Sequence, residues 1–157
     1  MSAAEPQPPN AGRYQVALRW GDMDALGHVN QAVYHELLEE ARTAMMRMLP
    51  APANGAFVVA RVELNYRREI PLSHRHVEVT LELLEVGRSS ITAAQRIMRA
   101  DGELAADGIS VMVAWDVLER RSRPLSAGEL AALEAFRAEQ QAEGGSRRPG
   151  GGGRQGR

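Results

Sequence analysis

The sequence predicts an α+β domain: an antiparallel sheet of five strands wrapped around one central helix, with a short helix at the C-terminal end. Three observations predict it. Apolar and polar residues alternate with the period of a strand in five separate stretches. One internal segment carries apolar residues at helical spacing over more than half its circumference, so it is enclosed rather than laid on a surface. The four later strands follow one another through short turns, which implies antiparallel pairing.

The elements follow in chain order. Tyr14, Val16, Leu18 and Trp20 alternate with Arg13, Gln15, Ala17 and Arg19, the pattern of a half-buried strand. Gly21 to Asn30 reads G-D-M-D-A-L-G-H-V-N, where glycines, aspartates and an asparagine break any period and mark turns. A helix is expected from Gln31 to Leu49, with Tyr34, Leu38, Ala41, Met45 and Met48 on one face and Pro50 and Pro52 ending it. Its methionines at 45, 46 and 48 read as packing. From Phe57 to Leu118 the chain reads as β-structure. Val58 to Tyr66 and Val77 to Leu83 alternate cleanly, a third strand spans Ser89 to Arg99 before a turn at Asp101-Gly102, and a fourth holds Ile109 to Val117. Ser126 with Glu129 three residues on forms a capping box, opening the last helix with Leu130, Leu133 and Phe136 on one side.

A sheet curled around a single helix covers itself on one side only. A second copy of the chain is the economical cover for the rest, so a homodimer is expected, or a tetramer built from two such pairs.

The 157 residues suit one core, with 44% apolar and 25% charged residues, and the absences in the composition narrow the chemistry. There is no cysteine, which excludes disulfides, zinc-thiolate sites and a cysteine nucleophile. All 19 basic residues are arginine, which excludes a Schiff-base lysine and the P-loop lysine. No apolar run approaches the roughly 18 residues of a membrane span, and Met1 to Asn10 lack the regions of a signal peptide, so a cytoplasmic protein is expected.

The net charge of −1 divides unevenly. Glu143 to Arg157 carries four arginines, one glutamate and seven of the 15 glycines, a charge of +3 that leaves −4 on the other 142 residues. The expected organisation is a flexible arm over residues 1–12, a folded domain over 13–142 and a disordered Gly/Arg-rich tail over 143–157. Four arginines without aromatic stacking partners make a poor nucleic-acid site, so nucleic acid is not an expected partner.

The densest group of chemically useful side chains lies between Arg19 and Tyr34, where a strand hands over to the enclosed helix. A helix N-terminus presents unpaired N–H groups and partial positive charge, which polarise a carbonyl. A carboxylate held beside it can attack that carbonyl or activate a water. Asp24 and Asp22 are the candidates, with His28 and Asn30 as polar neighbours. Each has a plainer reading: the aspartates as turn formers, His28 as a hydrogen-bonded structural residue, Asn30 as N-cap and Tyr34 as core. Asp22 is read as structural, since it should face away from Asp24 if the strand pleat continues. A metal site is not expected, because His28 and His35 stand seven apart and His74 and His76 lie elsewhere.

This D-x-D-x-x-G-H-V-N-x-x-x-Y entry to a helix resembles the hotdog-fold thioesterases of the 4-hydroxybenzoyl-CoA thioesterase type. E-E-A-R (Glu39 to Arg42) and V-G-R-S-S (Val86 to Ser90) extend the likeness, which covers roughly Tyr14 to Val117. The resemblance implies a hotdog fold and hydrolysis of acyl-CoA thioesters, without a cofactor beyond the coenzyme A of the substrate. It implies that Asp24 is the catalytic carboxylate, as nucleophile or as base, and that a backbone N–H at Asn30-Gln31 polarises the thioester carbonyl. His28 stands beside that pair, and Tyr34 on the same helix is assigned to the acyl pocket. Arg88, Ser89 and Ser90 are implied as coenzyme A contacts near a subunit interface, with Asp24 of one subunit facing Arg88 of the other. His28-Val29-Asn30 replaces the bulky aromatics of aryl-specific members, a form more typical of broad acyl-CoA thioesterases. Two alternatives stand beside this reading. Hotdog hydratases place aspartate and histidine five apart in D-x-N-P-x-H, whereas Asp24 and His28 are four apart with no N-P between them. A non-catalytic acyl-CoA-binding protein would keep the fold without needing Asp24.

Overall fold

The computed structural model describes residues 11–146. In chain order the elements are β1 (Arg13–Ala17), a 3-10 turn (Trp20–Asp22), α1 (Gln31–Arg47), β2 (Gly55–Tyr66), a second 3-10 turn (Leu72–His74), β3 (His76–Val86), β4 (Ser90–Arg99), β5 (Leu104–Asp116), β6 (Arg121–Ser122) and α2 (Ala127–Ser146). The strands pair antiparallel in the order β1-β3-β4-β5-β2. Ser90, the first residue of β4, pairs with Val113 of β5; β6 takes up the same side of β5 further on, at Trp115 and Asp116.

This is the predicted five-stranded sheet around a helix, with β6 as a two-residue addition. Tyr34, Leu37, Leu38, Ala41 and Met45 of α1 are buried. They face the inward set of the long strands, where burial follows the strand period: Val77, Val79, Leu81 and Leu83 on β3, then Ile91, Ala93 and Ile97 on β4. The helix begins where expected because Asn30 caps it, its side-chain oxygen accepting the Ala32 N–H at 2.9 Å.

Several boundaries differ from the sequence reading: α1 ends at Arg47 rather than Leu49, and β5 begins at Leu104 rather than Ile109. The first strand ends at Ala17, and Trp20 is 84% exposed in a turn rather than on a strand. Asp22 is the physical reason: its carboxylate accepts the Arg19 N–H at 2.7 Å and the Arg19 Nε–H at 3.0 Å, curling the chain before the alternation can continue. The last helix opens through the expected capping box, with Ser126 N–H on Glu129 and Glu129 N–H on the Ser126 hydroxyl. It is longer than expected, running for 20 residues. Its end at Ser146 reaches into the segment read as tail; the rest of that tail, and residues 1–10 of the arm, lie outside the described residues.

α1 lies across β1, β3 and β4. β2, at the end of the strand order, has one side without a partner strand among the described residues, and its Val58 and Val59 are 38% and 46% exposed. Beneath α1 the buried Arg42 donates from Nη1 to Gln95 and to Ser110, and Gln95 donates in turn to the Leu38 carbonyl. No described helix is long and apolar enough to cross a membrane.

Candidate active site

Residues Met23 to Asn30 are folded into a compact loop by their own backbone. Asp24 N–H donates to the His28 carbonyl at 2.9 Å, and Gly27 N–H donates to the Asp24 carbonyl at 3.1 Å. Gly27 holds φ +84° with open space around it, so glycine serves here for its backbone freedom alone. The loop is stitched to the segment after β2, with Val29 N–H on the Ile70 carbonyl and a bridge between His28 and Pro71.

That stitching makes a cleft of about 520 Å³ lined by Asp24, His28, Val29, Asn30, Gln31 and Tyr34 from one side and by Tyr66 to Glu69 from the other. Asp24 is fixed within it. Its Oδ1 accepts the Leu26 N–H at 2.9 Å and the His28 N–H at 3.4 Å. Its Oδ2 faces His28 Nδ1 at 3.3 Å. Asp22 behaves differently, being buried and engaged with Arg19, so the two carboxylates divide into one structural and one facing the cleft.

The start of α1 forms the floor. Asn30 N–H donates to the Asp22 carbonyl at 2.8 Å. Gln31 is the first residue of the helix, where N–H groups have no intrahelical carbonyl to meet. Tyr34 meets Tyr66 edge-on, with ring centroids 5.0 Å apart at 76°, and donates its hydroxyl to the Arg68 carbonyl at 3.2 Å. Burial, then the neighbouring Tyr66 and Glu69, push the Tyr34 hydroxyl above the usual tyrosine range, so it stays a donor. Arg67 and Arg68 on the rim pair with Asp107 and Glu103.

The structure therefore brings Asp24, His28, Asn30, Gln31 and Tyr34 together. It does not bring Arg88, Ser89 and Ser90 to them within one chain. These lie at the β3–β4 turn, tied to Leu125 and Ala114 through the carbonyls of Arg88 and Ser89, while the cleft borders Ala105 and Ala106 at the opposite end of β5. A larger groove of about 730 Å³ runs between β3 and α2, walled by Arg13, Glu78, Arg137 and Gln140, and holds none of the cleft residues.

Tyr66 and Glu69 were not read as cleft residues from sequence, and Arg67 and Arg68 stood there only beside Arg61, Arg75 and Arg96 as arginines able to compete with Arg88 for a phosphate. The one local signal is that β-alternation lapses after Tyr66 into two arginines and a glutamate before Pro71, marking a strand end. Nothing in that signal says which loop it meets.

The model of the thioesterase-like superfamily matches residues 18–136, spanning the loop, α1 and the whole sheet after β1. The chain belongs to this superfamily. It is 32% identical over 123 residues to the long-chain acyl-CoA thioesterase FadM of Escherichia coli K12, covering 74% of this chain and 91% of that protein. It is 29% identical to the acyl-CoA thioester hydrolase YbgC of E. coli, over 72% of this chain and 88% of that one. Among solved structures it resembles a thioesterase of Thermus thermophilus complexed with coenzyme A and zinc, at 32% identity and a TM-score of 0.72, over 82% of this chain and 95% of the other. The hotdog fold implied by the D-x-D entry motif is the fold observed. Among the described residues, no three histidine, aspartate or glutamate side chains gather as a metal-holding group.

Proposed function

We propose that this protein hydrolyses acyl-CoA thioesters, with Asp24 as the reacting carboxylate and the Gln31 N–H as the group that polarises the thioester carbonyl. One observation carries the assignment. Asp24 has one oxygen anchored to backbone N–H groups and the other turned toward His28 in a cleft floored by a helix N-terminus. The family and the thioesterase relatives support the reaction class.

A thioester is an activated acyl group, so modest help suffices. With the carbonyl oxygen on the Gln31 N–H, Asp24 Oδ2 adds to the carbonyl carbon. The C–S electron pair leaves with coenzyme A as thiolate, which takes a proton from solvent, and water then opens the mixed anhydride to restore Asp24. In the general-base variant Asp24 takes the proton of a water that attacks the same carbon. Both end in free acid and coenzyme A.

The site is completed by a second copy. β2 runs from Gly55, beside the β5 end that borders Ser89 and Ser90, to Tyr66 in the cleft, a span of roughly 36 Å at strand rise. Pairing its free edge antiparallel with the same edge of a twin brings the twin's Gly55 end, and with it Arg88 to Ser90, toward this chain's Asp24. Arg88 then meets a phosphate of coenzyme A, with arginines the only cationic side chains besides histidine that the sequence supplies.

The test offers the purified protein acyl-CoA thioesters of several chain lengths, an aryl-CoA and an enoyl-CoA, following free thiol and hydration separately. Thiol release is expected. Water addition to the enoyl-CoA without thiol release would replace this reading with a hydratase, and coenzyme A binding without either would make the protein a binding module.

A further inference from the structure

We propose that Glu69 is a positioning residue for this hydrolysis, acting on Asp24 through His28; the inference rests on the thioesterase reading above. His28 stands between two carboxylates. Its Nδ1 is 3.3 Å from Asp24 Oδ2 and its Nε2 is 3.6 Å from Glu69 Oε2, so each ring nitrogen faces an acid. An imidazole with a carboxylate near one nitrogen can still swing about its ring bond; one with a carboxylate near each is steered from two sides.

The backbone makes the arrangement deliberate rather than incidental. Glu69 immediately precedes Ile70, whose carbonyl takes the Val29 N–H, and Pro71, which bridges His28. The Glu69 carbonyl is itself held by Arg99 Nη1 at 3.2 Å. The main chain at Glu69 is thus fixed against the Asp24 loop, and only the side chain is left to reach His28. The charged and titratable groups that line the cleft with His28 are Asp24 on its own loop, Glu69 on the facing segment, Tyr34 on α1, Tyr66 at the end of β2, and Arg67 and Arg68 after it.

Folding gives little reason for a carboxylate here. The Glu69 side chain is 62% exposed, and its pair with His28 lies in a solvated setting where such contacts add little to stability. Its consequence falls on the next residue inward. Among the described residues His28 is the side chain paired with Asp24 Oδ2, the oxygen assigned to the chemistry, so the ring's orientation sets what that oxygen meets.

The test is a double-mutant cycle read together with the ring nitrogens of His28. Long-range proton–nitrogen spectra resolve the four histidine rings, and the signal lost in His28→Asn assigns His28. Glu69→Gln should move the His28 ring signals, lower kcat/KM about tenfold and leave the melting temperature unchanged; in the His28→Asn background it should cost nothing further. Glu69→Asp should recover part of the loss. A purely structural or bulk-charge role predicts the same loss with or without His28, and that additivity would overturn the inference. Unmoved His28 signals in an active protein would overturn it alone. A wild-type protein that releases no thiol from any acyl-CoA defeats the hydrolase reading, and this inference with it.

Discussion

Asp24 Oδ1 accepts the backbone N–H of Leu26 at 2.9 Å, so the carboxylate assigned to the chemistry also holds the turn that presents it. The plain reading of this residue as a turn former and the catalytic one are therefore compatible, one for each oxygen. The consequence is practical. Asp24→Ala removes both roles and should lower stability by about 1 kcal/mol, the usual loss for a side chain that caps backbone N–H groups. Asp24→Asn keeps an acceptor for Leu26 and should melt with the wild type. Chemical denaturation of the two variants checks this.

Arg123 and Glu129 form a buried pair at the entry to α2. Two guanidinium nitrogens each lie 2.8 Å from a carboxylate oxygen, and the Glu129 side chain is fully enclosed. Removing one partner strands a buried charge, so Glu129→Ala should cost about 3–5 kcal/mol. Burial pushes the Glu129 carboxyl up, but Arg123 and Ser126 outweigh it and hold the group below the usual glutamate range. A carboxyl lower in the folded chain than in the unfolded one stabilises the fold above the ordinary value of roughly pH 4–5, and that contribution fades as pH falls through the folded value. Wild type should therefore lose more stability than Glu129→Gln on acidification below that range. Equal loss in urea titrations at each pH would contradict this.

Arg42 presents the opposite case. It is buried with no carboxylate on its guanidinium among the described residues, and burial lowers its proton affinity despite Glu39 nearby. Ser110 already donates to Gln95, so both partners stay bonded without the arginine. Arg42→Met should be neutral or stabilising, because a shape-matched apolar side chain relieves a desolvated charge. Gln95→Leu should instead cost about 1–3 kcal/mol, by stripping an acceptor from a buried cation. Thermal melts of the two variants check this: Arg42→Met should melt at or above the wild type and Gln95→Leu below it, and a clear loss in Arg42→Met would contradict the account.

How far the sequence carries depends on the range of each interaction. β3 and α1 were legible because period and burial agree: the strand set Val77, Val79, Leu81 and the helix set Tyr34, Leu38, Ala41 are buried as their spacing requires. β2 and β5 were legible as strands but not in their faces: on β5 Ser110, Met112 and Ala114 are the buried set, while the alternating Ile109, Val111, Val113 and Trp115 are half-buried, and Val58 and Val59 of β2 are exposed. The end of β1 was not, because alternation through Trp20 says nothing of Asp22 reaching back to the Arg19 N–H. Asp24, His28 and Gln31 were legible as neighbours on one short segment. Tyr66 to Glu69 were not, since the stitch from Val29 to Ile70 joins segments about forty residues apart and leaves no trace in either. Arg42 read as one more residue of a helical motif; its burial follows from Gln95 and Ser110 on two other strands.

A site shared between two copies makes a prediction that no single variant can. Asp24→Asn and Arg88→Ala should each be impaired as pure dimers. In a mixed dimer one of the two sites regains both native residues, so co-expression of the two variants should restore activity above either parent. A charge placed on the free edge, as in Val59→Glu, should both separate the copies in sedimentation and abolish turnover. Mixed dimers no more active than their parents would place Arg88 outside the site.

The measurement closest to the central claim is thiol release by Asp24→Asn against wild type on the same acyl-CoA, under conditions where both are folded. Because Asn keeps the turn but can neither attack a carbonyl nor take a proton from water, release should fall by about two to four decades with binding of the acyl-CoA retained. Release within a few-fold of wild type would show that the thioester is cleaved by a group other than Asp24.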